Sequence, residues 1–419
     1  MSFTPSPLQA EAIKAIKDWY LNRTHEQQVF RVFGFAGSGK TTITKHAIAE
    51  LGLDDGVLYA AYTGKAALVM TRKGTPASTI HSLIYCVSES TPDEIDRVKE
   101  EIAKLKEQMA SVGPAEQMFA EAQIQSLDLR LVDMHKPRFC INDQSAVRDA
   151  DLIVLDEVSM VGVEMARDLL AFDKPVLVLG DPGQLPPIKG EGAFTHAEPD
   201  VMLTEIHRQA GESAIIRLAT MARAGEMIPY GKHDEFVWKM NQRDVGPQQM
   251  LRGGQVICGR NATRIQLNLA MQRAAGFSSV YPTGQGEKII CLKNRGDLGL
   301  VNGMFLELSD TKDGDDLSFY AKIRTEDGQD VIGSNLRIYK GHFDEHVAPD
   351  KERDQRDWRK KKQLIEAVWG WAITCHKSQG SQWPDVIVVD DGLGRTPEDR
   401  ARWLYTAITR AERGLVILS

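Results

Sequence analysis

VFRVFGFAGSGKTTITKHAIAEL, residues 29–51, is the stretch on which the fold turns. It opens as a continuous apolar run, which suits a parallel strand buried on both faces. It closes on a segment with helical character from Lys40 onward. Between the two, Gly34-Phe-Ala-Gly-Ser-Gly39-Lys40-Thr41 fits G-x-x-x-x-G-K-[ST]. Glycines at 34, 37 and 39 let the backbone N–H groups of the loop, with Ser38 and the helix start at Lys40, Thr41 and Thr42, wrap phosphates at the positive end of a helix. Lys40 would reach the β- and γ-phosphates, and the Thr41 hydroxyl a Mg²⁺ ion.

Working outward, further apolar runs recur at 57–62, 152–157, 175–181, 255–259, 385–391 and 415–418. Their spread predicts an α/β protein with two buried sheets that part near residue 200. The run LIVLDE at 152–157 ends in Asp156 and Glu157. An isolated Asp-Glu pair is commonly a solvated loop. Beside a phosphate loop, Asp156 becomes the holder of the Mg²⁺ water shell and Glu157 the base for an attacking water. The two motifs specify hydrolysis of a nucleoside triphosphate with Mg²⁺, and the absence of an N-K-x-D guanine-reading signature lowers the GTPase reading.

The 419 residues are enough for two to four domains, and 51 basic against 58 acidic residues leave a net charge of −7. That excludes a protein that coats nucleic acid by bulk positive charge, though not one with a local groove. Five cysteines at 86, 140, 258, 291 and 375, with no C-x-x-C pair, argue against a disulfide framework or a zinc site. With no secretory leader and no membrane-length apolar run, the expected location is the cytoplasm, away from any membrane.

Two stretches interrupt the α/β alternation. Residues 88–142 read as an insertion, with one helix from Pro92 to Ala110 and a second from Pro114 to about Ser126. LDLRLVD at 127–133 and RFCIN at 138–142 then read as a β-hairpin. Residues 299–345 read as β, broken by Asp/Gly turns, and a charged segment follows at 350–363.

Downstream stand GDPGQLPP at 180–187, HRQ at 207–209, TCHKSQG at 374–380 and YTAITRA at 405–411. With Gln9, TGKAA at 63–67, TIHS at 79–82, DEVSM at 156–160 and LVNG at 300–303, the ordered set resembles superfamily 1 DNA helicases of the RecD/Dda-like branch over nearly the whole chain. The resemblance implies two RecA-like P-loop NTPase domains. The first would span 1–203, the second 204–298 with 366–419, and a small SH3-like β insertion with a charged helix 299–365. It implies that Gln9 reads adenine, that Gly380 joins the nucleotide-binding residues, and that Gln184 senses the γ-phosphate. Arg208 and Arg410 would act as arginine fingers. Thr63, Lys65, Thr79, His81, Thr374 and His376 would line the path of single-stranded DNA. The implied activity is ATP-driven 5′ to 3′ translocation with unwinding of forked or tailed duplex DNA, by a monomer with a possible replication or repair partner. An RNA helicase of the same superfamily, or an ATP-binding subunit without its own unwinding activity, is the alternative. In that branch the insertion after TIHS carries the pin that splits the duplex, which here would fall at 128–141.

Overall fold

The computed structural model describes residues 4–53, 55–88, 91–109, 113–134, 138–187, 190, 192–205, 213–326, 330–347, 361 and 363–419. They form two compact units, Met1–Ile80 with Asp149–Ser419, and His81–Arg148. Strands β1 Val29–Gly34, β2 Val57–Ala61 and β3 Ala77–Thr79 precede the smaller unit, which holds β4 Tyr85–Ser88 and β5 Arg138–Ile141. The larger unit resumes with β6 Leu152–Asp156, β7 Val176–Gly180 and β8 Val201–Leu203.

The first sheet has the order β3-β2-β6-β7-β1-β8 and is parallel throughout. Its strands are the apolar runs read from the sequence. Leu152, Ile153, Leu155, Val176, Leu177, Val178 and Leu179 have no exposed surface at all. Helices α1 Pro7–Asn22 and α2 Lys40–Leu51 pack one face through Ile13, Ile16, Ile43 and Ile48. Because β6, β7 and β1 are neighbours, their C-terminal ends bring Asp156, Gly180 and Gly34 to one edge, where parallel α/β sheets bind ligands. The helix α3 Gly64–Arg72 follows β2 and covers Ala61 with Ala66, Ala67 and Met70.

The second sheet, β17-β11-β18-β19-β10-β9, comprises β9 Gly231–Asp234, β10 Val237–Met240, β11 Gln255–Cys258, β17 Ala372–Thr374, β18 Trp383–Val389 and β19 Ala411–Leu418. All its pairs are parallel except β9 with β10. The chain therefore has the expected two α/β domains. A third, antiparallel sheet joins β12 Gln285–Cys291, β13 Phe305–Asp313, β14 Ser318–Thr325, β15 Val331–Tyr339 and β16 Ala367–Trp369. It begins earlier than the expected residue 299 and takes back residues 367–369 from the far side. Glu287 hides its start in the sequence. This fully buried carboxylate accepts bonds from Thr283 N, Gly284 N and Gln285 N and so closes the turn that enters β12. Most of the charged segment at 350–363 lies outside the described residues.

The smaller unit corrects the sequence reading. Helix α4 Ile80–Ile84 leads into β4, and the two long helices are α5 Pro92–Met109 and α6 Pro114–Met134. LDLRLVD is therefore helix, not strand, and α6 runs past Ser126. Leu127, Leu129 and Leu131 alternate as a strand would, yet Leu127 and Leu131 also stand four apart beside Ile124 and Met134. Those four meet Ile95, Val98, Ile102, Leu105 and Met109 of α5, whereas Leu129 is left exposed. An apolar stripe along 18 residues of α5 needs a helical partner of matching length, and that demand outweighs the alternation. RFCI pairs instead with β4, in the register Tyr85↔Ile141, Cys86↔Cys140 and Val87↔Phe139.

Candidate nucleotide and nucleic-acid sites

The phosphate loop is shaped by backbone that few side chains tolerate. Gly37 and Gly39 have φ of 81° and 83°, and Gly39 is the residue that caps α2. Lys40 Nζ donates to the carbonyls of Gly34 at 2.6 Å and Phe35 at 3.2 Å, so the ammonium sits inside the loop it serves. Ser38 Oγ is buried with no hydrogen-bond partner among the described residues. A Cβ on Gly34 would stand 2.5 Å from that oxygen. Thr41 and Thr42 are exposed in the first turn of α2. Gln9 is buried and joins the loop by donating to Ser38 O at 3.2 Å, while its Oε1 accepts from Ser6 N in the capping box of α1.

Thr41 Oγ1 donates to Asp156 Oδ2 at 3.2 Å, so a hydroxyl and a carboxylate stand close enough to share one hard cation. Burial, and then the charge of Glu157, push the Asp156 carboxyl above its usual range, against the pull of Lys40. A half-buried carboxylate so disfavoured suits a site that receives positive charge. These residues fit a Mg²⁺–nucleotide. Glu157 is held at φ 55°, ψ 44°, a left-handed conformation rare outside glycine, and its N–H donates to Asp156 Oδ1 at 2.8 Å.

Residues of the second α/β domain reach this edge. Arg410, only 3% exposed, places Nη1 4.0 Å from Glu157 Oε1. Its guanidinium is fixed by Thr406 O at 3.1 Å, Ser381 O at 3.3 Å and Thr409 Oγ1 at 3.2 Å. Gln184 is buried, and its Oε1 has no partner among the described residues. Gln379 donates to Leu185 O at 3.0 Å and Ser159 Oγ at 3.4 Å, a contact between the domains that motif reading does not assign. Arg208 lies outside the described residues.

Gly380 takes a left-handed φ of 72°. A Cβ there would lie 2.7 Å from Ala66 Cβ and 2.8 Å from Thr63 Oγ1, so it packs on the start of α3, which Thr63 caps by accepting from Ala66 N. Lys65, expected on the DNA path, holds Nζ 4.2 Å above the Phe305 ring and 4.7 Å from that of Trp383. Burial, partly opposed by Glu326, brings its pKa down to about 8. Thr79 ends β3, Thr374 is buried at the end of β17, and burial lowers the pKa of the half-buried His376. His81 belongs to the smaller unit, where its ring meets Phe139 edge-on at 4.3 Å. Trp369 and Trp383 are core residues, and half-buried Trp371 is stacked between Trp369 and Phe277.

The Lys65 environment gives a pH dependence. A folded pKa near 8, below the unfolded 10.5, means the fold opposes the ammonium. Between those values only the unfolded chain binds the proton, so stability rises with pH there. Wild-type protein should gain melting temperature relative to Lys65→Met between pH 7.5 and pH 10, on the order of two pH units of linkage. A difference independent of pH would contradict the buried ammonium.

Two family models match the chain. Residues 6–235 match a family described as an AAA domain, and residues 370–418 a UvrD-like helicase C-terminal domain. The ATP-dependent RecD2 DNA helicase of Deinococcus radiodurans is 27% identical over 277 residues, covering 62% of this chain. The chain covers 35% of that relative's length. Among solved structures, a Pif1 helicase at forked double-stranded DNA aligns over 100% of this chain and 92% of its own, with TM-score 0.54 and 18% identity. Bacteroides Pif1 bound to single-stranded DNA aligns over 100% and 93%, with TM-score 0.51 and 18% identity. At these identities the structures speak for the fold. No described helix is long and apolar enough to cross a membrane.

Proposed function

We propose that this chain, which belongs to the AAA-domain family matched over residues 6–235, is an ATP-dependent DNA helicase that moves 5′ to 3′ on single strands and unwinds duplex DNA. What supports the reading above all is the approach of Arg410, from the second α/β domain, to within 4.0 Å of Glu157 at the phosphate-loop edge of the first. A nucleotide between them would draw the two domains together, and its hydrolysis would release them.

In this reading Lys40 exchanges the Gly34 and Phe35 carbonyls for the β- and γ-phosphates. Thr41 and Asp156 would hold Mg²⁺, which supplies positive charge to the phosphate oxygens when bound. Glu157 takes the proton of the attacking water, and Arg410 with Arg208 stabilises the charge spreading over the transferred group. Thr63, Lys65, Thr79, His81, Thr374 and His376 serve the nucleic-acid path, chiefly through hydroxyls and backbone rather than net charge. ATP turnover with poly(dT) against poly(U) tests the substrate: strong stimulation by poly(dT) alone is expected, and stimulation by poly(U) alone overturns the choice of DNA.

In the same reading the strand-separating pin is the ribbon β4–β5. Val87, Phe139 and Ile141 lie exposed there on one face, with Tyr85 paired to Ile141. Val87→Ser with Phe139→Ser should lower unwinding of a forked duplex by about 10-fold, a base stacked on the Phe139 ring being worth roughly 1–3 kcal/mol, and spare single-strand-stimulated ATPase. Equal losses in both activities would count against a pin.

A further inference from the structure

Tyr405 belongs to YTAITRA, yet the roles read from that motif leave it none. It lies in the helix Pro397–Ile408 of the second α/β domain and is only 2% exposed. Its hydroxyl donates to Asp181 Oδ2 at 2.5 Å and accepts from the N–H of Ala36 at 3.0 Å. One oxygen therefore joins the phosphate loop after β1, the GDPGQ segment after β7, and a helix of the other domain. Gly183 admits the ring. A Cβ there would stand 2.9 Å from Tyr405 Cε1, closer than side chains come.

The GDPGQ segment depends on this anchor. Asp181 Oδ1 accepts from Gly183 N at 2.9 Å, and Gln184 N donates to Asp181 O at 3.1 Å, forming the turn that aims Gln184. The Gln184 side-chain oxygen has no partner among the described residues, and the turn fixes the backbone that carries it. Leu185 N donates to Thr406 Oγ1 at 3.0 Å, a second tie to the same helix. On the loop side, the guanidinium of Arg223, also from the second domain, lies 3.3 Å from the centre of the Phe35 ring. Phe35 and Ala36 are thus both held from across the cleft.

We propose that Tyr405 is a positioning residue for hydrolysis: its hydroxyl fixes the outer turn of the phosphate loop to the Asp181 carboxylate. While the domains are closed, the cradle and the segment bearing Gln184 are thereby held in one register with the second domain, and the ties part when the domains separate. This rests on the reading of the chain as a DNA-stimulated ATPase. Loss of the hydroxyl leaves Lys40, Glu157 and Arg410 in place and disturbs only their alignment, so turnover suffers more than nucleotide binding.

Tyr405→Phe, which keeps the ring, tests this in the full chain with saturating poly(dT). The expected result is a fall in kcat of roughly 10- to 100-fold, the scale of a small misplacement, with KM for ATP within about twofold. If the hydroxyl acts through Asp181, Tyr405→Phe adds nothing to Asp181→Asn, so the double variant is no slower than Asp181→Asn alone. A kcat within about twofold of wild type, or losses that multiply in the double variant, overturns the proposal. Should Tyr405→Phe not fold, Asp181→Asn must alone lower kcat at least about fivefold, and wild-type turnover in it overturns the proposal. Wild-type protein that ignores poly(dT) counts instead against the helicase reading, and the same comparisons are then decided on basal turnover.

Discussion

Arg410→Ala is expected to cut ATP turnover at saturating single-stranded DNA by ~10³-fold or more, with nucleotide affinity far less affected. The guanidinium is pre-organised: it is buried, and three oxygens from Thr406, Ser381 and Thr409 fix its plane. A donor fork that needs no reorganisation stabilises developing phosphoryl charge more than it stabilises bound nucleotide, so the loss falls on kcat. Arg410→Lys keeps the charge but cannot reproduce the three-way fixation, and it should recover only a small part of the rate. The removal also leaves the three oxygens short of a donor, so a thermal melt must accompany the kinetics. Steady-state turnover together with fluorescent-nucleotide binding checks the expectation. Unchanged turnover would remove Arg410 from the site.

Glu157→Gln should slow hydrolysis by at least ~10²-fold while ATP and DNA still bind, the usual scale for loss of a general base. The substitution is isosteric. The backbone bond from residue 157 N–H to Asp156 persists, so the Thr41–Asp156 pair is preserved. The left-handed backbone at Glu157 points the same way, since strain of this kind is retained where the surroundings enforce a particular side-chain direction. Single-turnover hydrolysis measures the chemical step directly, and a near wild-type rate would reassign the base.

Much of this arrangement is legible in the sequence. The phosphate loop is a motif, and the strands ending at Gly34, Asp156 and Gly180 are largely apolar runs that suit a sheet covered on both faces. The insertion is less legible, because the leucines of LDLRLVD satisfy period two and period four together. What arbitrates is the stripe on α5, some 20 residues earlier in the chain. Tyr405 is invisible for another reason. A tyrosine among apolar helix residues reads as core, and its partners lie 224 and 369 positions away. The surroundings of Lys65 and Gly380 are not written in their motifs. Their neighbours Phe305, Trp383, Thr63 and Ala66 come from distant segments, and burial of an ammonium cannot be read from TGKAA.

The central claim is that ATP hydrolysis between the two α/β domains drives strand separation from a 5′ tail. Forked duplexes carrying only a 5′ or only a 3′ single-stranded tail test it directly, with ATP and Mg²⁺ and a trap for released strands. The account predicts that the 5′-tailed substrate is separated, that the 3′-tailed one is not, and that neither opens without ATP. Separation from the 3′ tail alone, or no separation under conditions where single-stranded DNA stimulates the ATPase, would contradict it.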